Sequence, residues 1–119
     1  MRFIPTAIHG AADYVVGLSV MALPFVLDLH GAQRWFFLAL GALAVFYSLL
    51  TDYELGIVRV LRVRFHLLLD AVFGLAMLTA PSLLDLPKAA SAVSYAVGIL
   101  ALILTATTRT QAVGTAARH

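Results

Sequence analysis

His9-Gly10-Ala11-Ala12-Asp13-Tyr14-Val15-Val16-Gly17, continuing through Pro24 to Asp28-Leu29, carries the pattern H-x-x-x-D-x-x-x-G-x-x-x-x-x-x-P-x-x-x-D-L. The same pattern returns from His66 to Leu86. It pairs His9 with His66, Asp13 with Asp70, Gly17 with Gly74, Pro24 with Pro81 and Asp28 with Asp85, at a constant offset of 57 residues (66 minus 9). The chain therefore reads as two copies of one unit. Whatever the first copy folds into, the second is expected to fold into as well.

Composition decides the solvent in which those copies fold. Of 119 residues, 62% are hydrophobic and 12% charged, about half the charged share of an ordinary soluble domain. So short a chain cannot hide that much apolar surface from water. Four segments are long enough to cross a hydrocarbon core of about 30 Å as helices: Ala7 to Leu27, Trp35 to Thr51, Phe65 to Leu84 and Ala89 to Thr108. The first is read as a retained span and not a cleaved signal, because it contains His9 and Asp13 and lacks a small-x-small cleavage site. With no cysteine, disulfides, thiolate metal sites and thiol redox chemistry are excluded.

These segments predict an all-α fold, a polytopic membrane four-helix bundle forming a single domain over 1–119. Repeat 1 covers about 7–51, repeat 2 about 64–108, and 109–119 form a mobile tail. Pro5 suits a first helical turn, Pro24 a bend or an end, and Gly56 the end of the second helix. The stretch from Asp28 to Arg34 is short and polar, which predicts an antiparallel hairpin, and Leu86-Pro87-Lys88 predicts another. Trp35, Phe36 and Phe37 suit an interfacial aromatic belt. The second halves of the repeats match more loosely, at Ala39 with Ala96, Gly41 with Gly98, Leu43 with Leu100 and Ala44 with Ala101. Arg2, Arg59, Arg62, Arg64, Arg109 and Arg118 fall on one side, against Arg34 and Lys88 on the other. By the positive-inside rule both termini are cytoplasmic. With two spans per repeat, the copies share one orientation and are related by a pseudo-two-fold axis along the membrane normal.

Asp13 and Asp70 are the only acidic groups deep inside the spans, and each lies four residues after a histidine. Residues four apart share a helix face, so His9, Asp13 and Gly17 form one stripe, and His66, Asp70 and Gly74 another. Small residues let helices approach in lipid, and polar groups turn away from hydrocarbon. Together these rules predict that the first and third helices pack through the two stripes, with the glycines and Pro24 and Pro81 as packing residues. A carboxylate at mid-span costs roughly 2.5–3.5 kcal/mol, so it is either protonated or offset by pairing, His9 with Asp13 within one helix or Asp13 with His66 and Asp70 with His9 across the symmetry. Three readings fit the quartet: an interhelical polar cluster that fixes register, a proton-responsive pathway for an ion or small solute, or a metal or haem site using His9, His66, Asp13 and Asp70.

The remaining polar residues point elsewhere. Asp28 and Asp85 read as solvated boundary residues, and the arginines from Arg59 to Arg64 as topology determinants. Tyr14, Tyr47 and Tyr95 read as residues that pack or bond their hydroxyl to the backbone, while His30 and His119 belong to a loop and the tail. No nucleophile elbow, zinc-protease motif, phosphate loop or dinucleotide fingerprint is present, so the sequence offers no reason to call the chain an enzyme.

The doubled pattern, with Leu49-Leu50-Thr51-Asp52-Tyr53-Glu54-Leu55-Gly56 between its copies, resembles the bacterial SPW-repeat integral membrane proteins over nearly the whole chain except the tail. The family's tripeptide is eroded to Leu23-Pro24-Phe25 and Ala80-Pro81-Ser82, with the proline kept in both copies. The resemblance implies a multi-pass protein of the bacterial inner membrane and names no substrate. The reading taken forward is a non-enzymatic interaction or accessory subunit, with the bilayer and a homo-oligomer or larger membrane complex as partners. No nucleic acid and no cofactor is expected, metal or haem remaining the alternative.

Overall fold

The computed structural model describes residues 3–51, 56–57 and 61–108. The tail, His119, Arg2 and Arg59, which entered the sequence reading, lie outside the described residues. Among the described residues four helices follow in order: α1 (Thr6–Val26), α2 (Gly31–Leu49), α3 (Val63–Leu84) and α4 (Lys88–Thr107). All four are long and apolar enough to cross a membrane. Their outer faces carry exposed large apolar side chains such as Val15, Leu18, Phe46, Leu75 and Ile103, as lipid-facing surfaces do.

The helix ends show what the duplicated prolines and aspartates do. Pro24 and Pro81 lie in the last turns of α1 and α3, where the missing N–H forfeits one i→i−4 bond and helps bring the helix to its end. Just beyond, Asp28 and Asp85 adopt left-handed backbone angles, with φ of 55° and 53°. Aspartate enters that region more readily than most residues. The reversal brings Leu29 N–H to the carbonyl of Pro24 at 2.7 Å and Leu86 N–H to that of Pro81 at 3.2 Å. These bonds satisfy carbonyls that a helix end would leave open. Asp28 and Asp85 thus supply backbone turns.

Two boundaries differ from the sequence reading. The first connection is shorter than predicted, because α2 begins at Gly31 and takes Gln33 and Arg34 into its first turn. There Arg34 Nε donates to the Leu29 carbonyl at 3.1 Å, its guanidinium lies 4.9 Å from the Phe25 ring centroid, and Gln33 Nε2 donates to the Leu84 carbonyl at 2.8 Å. At its other end α2 stops at Leu49, well before Gly56. Ile57 N–H caps the Leu49 carbonyl and Leu61 N–H the Leu50 carbonyl, both at 2.8 Å, so glycine is not the terminator. Pro5 stands just outside α1, as its extended N-cap residue.

The glycines pack within each hairpin, which corrects the expectation that they would join α1 to α3. Gly17 faces Gly41 of α2: a Cβ on Gly41 would lie 2.6 Å from the Gly17 carbonyl oxygen. Gly74 faces Gly98 of α4 in the same way, with a Cβ on Gly98 falling 2.8 Å from the Gly74 oxygen. The helices touch in the order α1–α2–α3–α4–α1, and no Cα of α1 lies within 8 Å of one in α3. These two helices are diagonal. Across a diagonal, only side chains long enough to reach the bundle axis can meet, and glycine has none.

One core runs between the hairpins, with Phe37, Met77, Val20, Phe73 and Ala80 at its centre. At the end where α1 begins and α4 finishes, Phe3 and Ile4 N–H both reach the Thr107 carbonyl, at 2.7 and 2.9 Å. Ile4 bridges Thr108 there, and Thr51 bridges Leu61.

Candidate functional site

Two turns of α1 and two of α3 point into the axis at that same end. His9 lies in the first turn of α1 and Asp13 one turn on; His66 and Asp70 take the corresponding places in α3. His9 is 1% and His66 0% exposed, and the side chains of Asp13 and Asp70 are 10% and 8% exposed. The sequence reading expected these four to converge, and they do.

Each imidazole bonds to both carboxylates. His9 Nε2 is 2.6 Å from Asp70 Oδ2 across the bundle and 3.1 Å from Asp13 Oδ1 within its own helix. His66 Nε2 is 2.7 Å from Asp13 Oδ2 across the bundle and 3.0 Å from Asp70 Oδ2 within its helix. In both cases the bond between helices is the shorter one. The rings meet edge to face, with centroids 5.6 Å apart.

Proton accounting fixes the orientation of the rings. Thr108 Oγ1 donates its one proton to the Leu104 carbonyl at 2.6 Å, so it can only accept from His9 Nδ1, 2.6 Å away. Thr51 Oγ1 donates to the Tyr47 carbonyl at 2.6 Å and accepts from His66 Nδ1 at 2.7 Å. Both Nδ1 atoms therefore carry hydrogen, and both Nε2 atoms face the carboxylates. Each Nε2 shares one proton with the carboxylates it faces, two protons in all. Whether each is drawn on the nitrogen or the oxygen, two imidazoles, two carboxyl groups and those protons sum to zero charge. A neutral quartet avoids the cost of an isolated charge among apolar helices.

A phenol makes the two carboxylates unequal. Tyr47 donates its hydroxyl to Asp70 Oδ1, and its ring lies edge-on to His66 with centroids 4.9 Å apart. The position 57 residues on from Tyr47 is Leu104, which has no hydroxyl to offer Asp13. Beside the quartet is a cavity of about 20 Å³, room for roughly one water, bounded by His9, Asp13, Tyr47 and Asp70 with Val16 and Leu104.

Three residues of the site were missed in the sequence: Tyr47, read as packing or bonding the backbone, and Thr51 and Thr108, not singled out as site residues. For the threonines a signal existed, since they stand 57 residues apart, like the histidines they hold. Asp28, Asp85 and His30 lie at the turns; His30 Nε2 meets Asp28 Oδ1 at 2.8 Å in an exposed pair.

No protein-family model, curated protein or solved structure matches the chain. Fold and site define an all-α, four-helix protein whose helices can cross a membrane and whose axis holds a buried His/Asp quartet.

Proposed function

We propose that the chain is a small bacterial inner-membrane protein of the SPW-repeat kind, acting as a non-enzymatic interaction or accessory subunit. Its two tandem hairpins are related by a pseudo-two-fold axis along the membrane normal, and the quartet clamps one to the other. The observation that carries this reading is the reciprocity of the cross-bundle bonds, His9 to Asp70 at 2.6 Å and His66 to Asp13 at 2.7 Å. Each hairpin supplies one imidazole and one carboxylate to the other. The tandem reading is further supported by pairs at the same offset: Thr108 on His9 with Thr51 on His66, and Gly17 on Gly41 with Gly74 on Gly98. A pocket of about 20 Å³ beside the quartet favours a clamp over a site for an organic substrate.

The test is thermal unfolding in detergent together with flux in proteoliposomes. His66→Ala should lower the melting temperature, and the wild-type chain should pass neither protons nor metal cations. Flux that disappears in Asp13→Asn/Asp70→Asn would replace the clamp with a carrier. What copurifies with the chain from native membranes identifies the complex it serves.

A further inference from the structure

We propose that the quartet is also a binding site for one divalent transition-metal ion, held by Nε2 of His9 and His66 and by one oxygen each of Asp13 and Asp70. This goes beyond the clamp, which joins the hairpins with or without an ion.

Convergence is the first ground. One ligand atom from each of the four residues lies within 4.8 Å of every other. A tetrahedral ion with bonds of about 2.0–2.1 Å to nitrogen and oxygen needs its ligand atoms about 3.3 Å apart. The cross-bundle pairs at 2.6 and 2.7 Å therefore open slightly and the widest pair closes, adjustments that side-chain torsions can make.

The second ground is independent of the quartet's own contacts. A metal-bound histidine commonly gives its other ring N–H to a fixed acceptor, which sets the tautomer and aims the free nitrogen at the ion. His9 and His66 each have such an acceptor, a threonine hydroxyl whose own proton is committed to a backbone carbonyl. A clamp needs only one ring nitrogen per histidine. Here both rings are anchored from behind with the metal-binding nitrogen facing inward.

Charge and size select the ion. A divalent cation replaces the two protons of the Nε2–carboxylate contacts, so the buried quartet stays neutral. Two imidazoles and two carboxylates suit zinc or its first-row neighbours, whereas calcium and magnesium require six or more oxygen ligands. A cavity of about 20 Å³ beside the quartet suits a bare ion. Tyr47 bonds the second oxygen of Asp70, and both Asp13 and Asp70 border the cavity beside the quartet.

The test uses the full chain in detergent, stripped with chelator and then given Zn²⁺ or Co²⁺ alone. One ion per chain should survive gel filtration, and the Co²⁺ form should show the intense visible absorption of tetrahedral coordination. Excess Mg²⁺ should not displace it. Asp13→Asn, checked for helicity by circular dichroism, should bind at least tenfold more weakly, and Thr108→Val should lose affinity about 10–100-fold. His30→Ala, outside the quartet, should bind as wild type. Folded wild-type chain retaining no ion would overturn the site, as would Asp13→Asn of unchanged affinity or binding abolished by His30→Ala. The clamp is judged separately, by the melting temperature of His66→Ala without metal.

Discussion

Thr108 Oγ1 lies 2.6 Å from Nδ1 of His9, two residues 99 positions apart in the chain. The hydroxyl ties the end of α4 to the beginning of α1, and it fixes which nitrogen of the ring faces the bundle axis. Thr51 performs the same operation on His66 from the end of α2. The quartet is therefore oriented by residues outside it, one per hairpin.

Replacing either threonine by valine removes the acceptor and leaves a buried imidazole N–H unsatisfied. Thr51→Val and Thr108→Val should each cost about 1–3 kcal/mol, whereas serine at either position should be nearly neutral. Melting curves in one detergent compare them. Valine variants as stable as wild type would show that the hydroxyls do not anchor the rings.

The glycine contacts predict an asymmetric response. A Cβ on Gly41 would meet the Gly17 oxygen at 2.6 Å and the Met21 nitrogen at 2.9 Å, both backbone atoms that cannot step aside. On Gly98 the backbone clash is milder, 2.8 Å to the Gly74 oxygen, and the other close neighbour is the side chain of Leu78. Both alanine variants should lose about 1–3 kcal/mol by overpacking. Gly41→Ala should melt at the lower temperature of the two.

Tyr47→Phe keeps the ring against His66 and deletes the hydroxyl on Asp70. A lost hydrogen bond to a carboxylate of this kind costs about 1.5–3 kcal/mol. Combining it with Asp70→Asn in a double-mutant cycle should give clearly less than the sum of the single effects, because both changes remove the same bond. Strict additivity would mean that the phenol stabilises the fold by packing alone.

Orientation in the membrane is open to cysteine labelling, since the native chain has no cysteine to mask the signal. His30→Cys and Lys88→Cys, at the turn end of the bundle, should react with a membrane-impermeant reagent added outside intact cells. A cysteine at Arg62, at the start of α3, should react only after lysis. The reverse pattern would invert the proposed topology.

Much of this was legible along the chain because it depends on local periodicity. Helix number, approximate spans and the hairpin connections follow from apolar length and from the residues that interrupt it. The quartet's membership follows from i, i+4 spacing repeated at a fixed offset. Less local features were not legible: α2 takes in Gln33 and Arg34, whose side chains bond carbonyls at the end of α3 and in the turn just before α2, and Asp28 and Asp85, exposed at the helix boundaries as expected, also turn the backbone.

The sequence by itself determined that four apolar helices form and that two histidines and two aspartates lie on matching faces of two of them. Only the tertiary structure decided that those two helices are diagonal. A sequence records which face a residue occupies, but not which neighbour that face meets. The glycines settled that question by drawing each hairpin together where a side chain would clash. The faces left over turned to the axis, where imidazole and carboxylate span a distance that the backbones do not, and where Tyr47, Thr51 and Thr108 hold them.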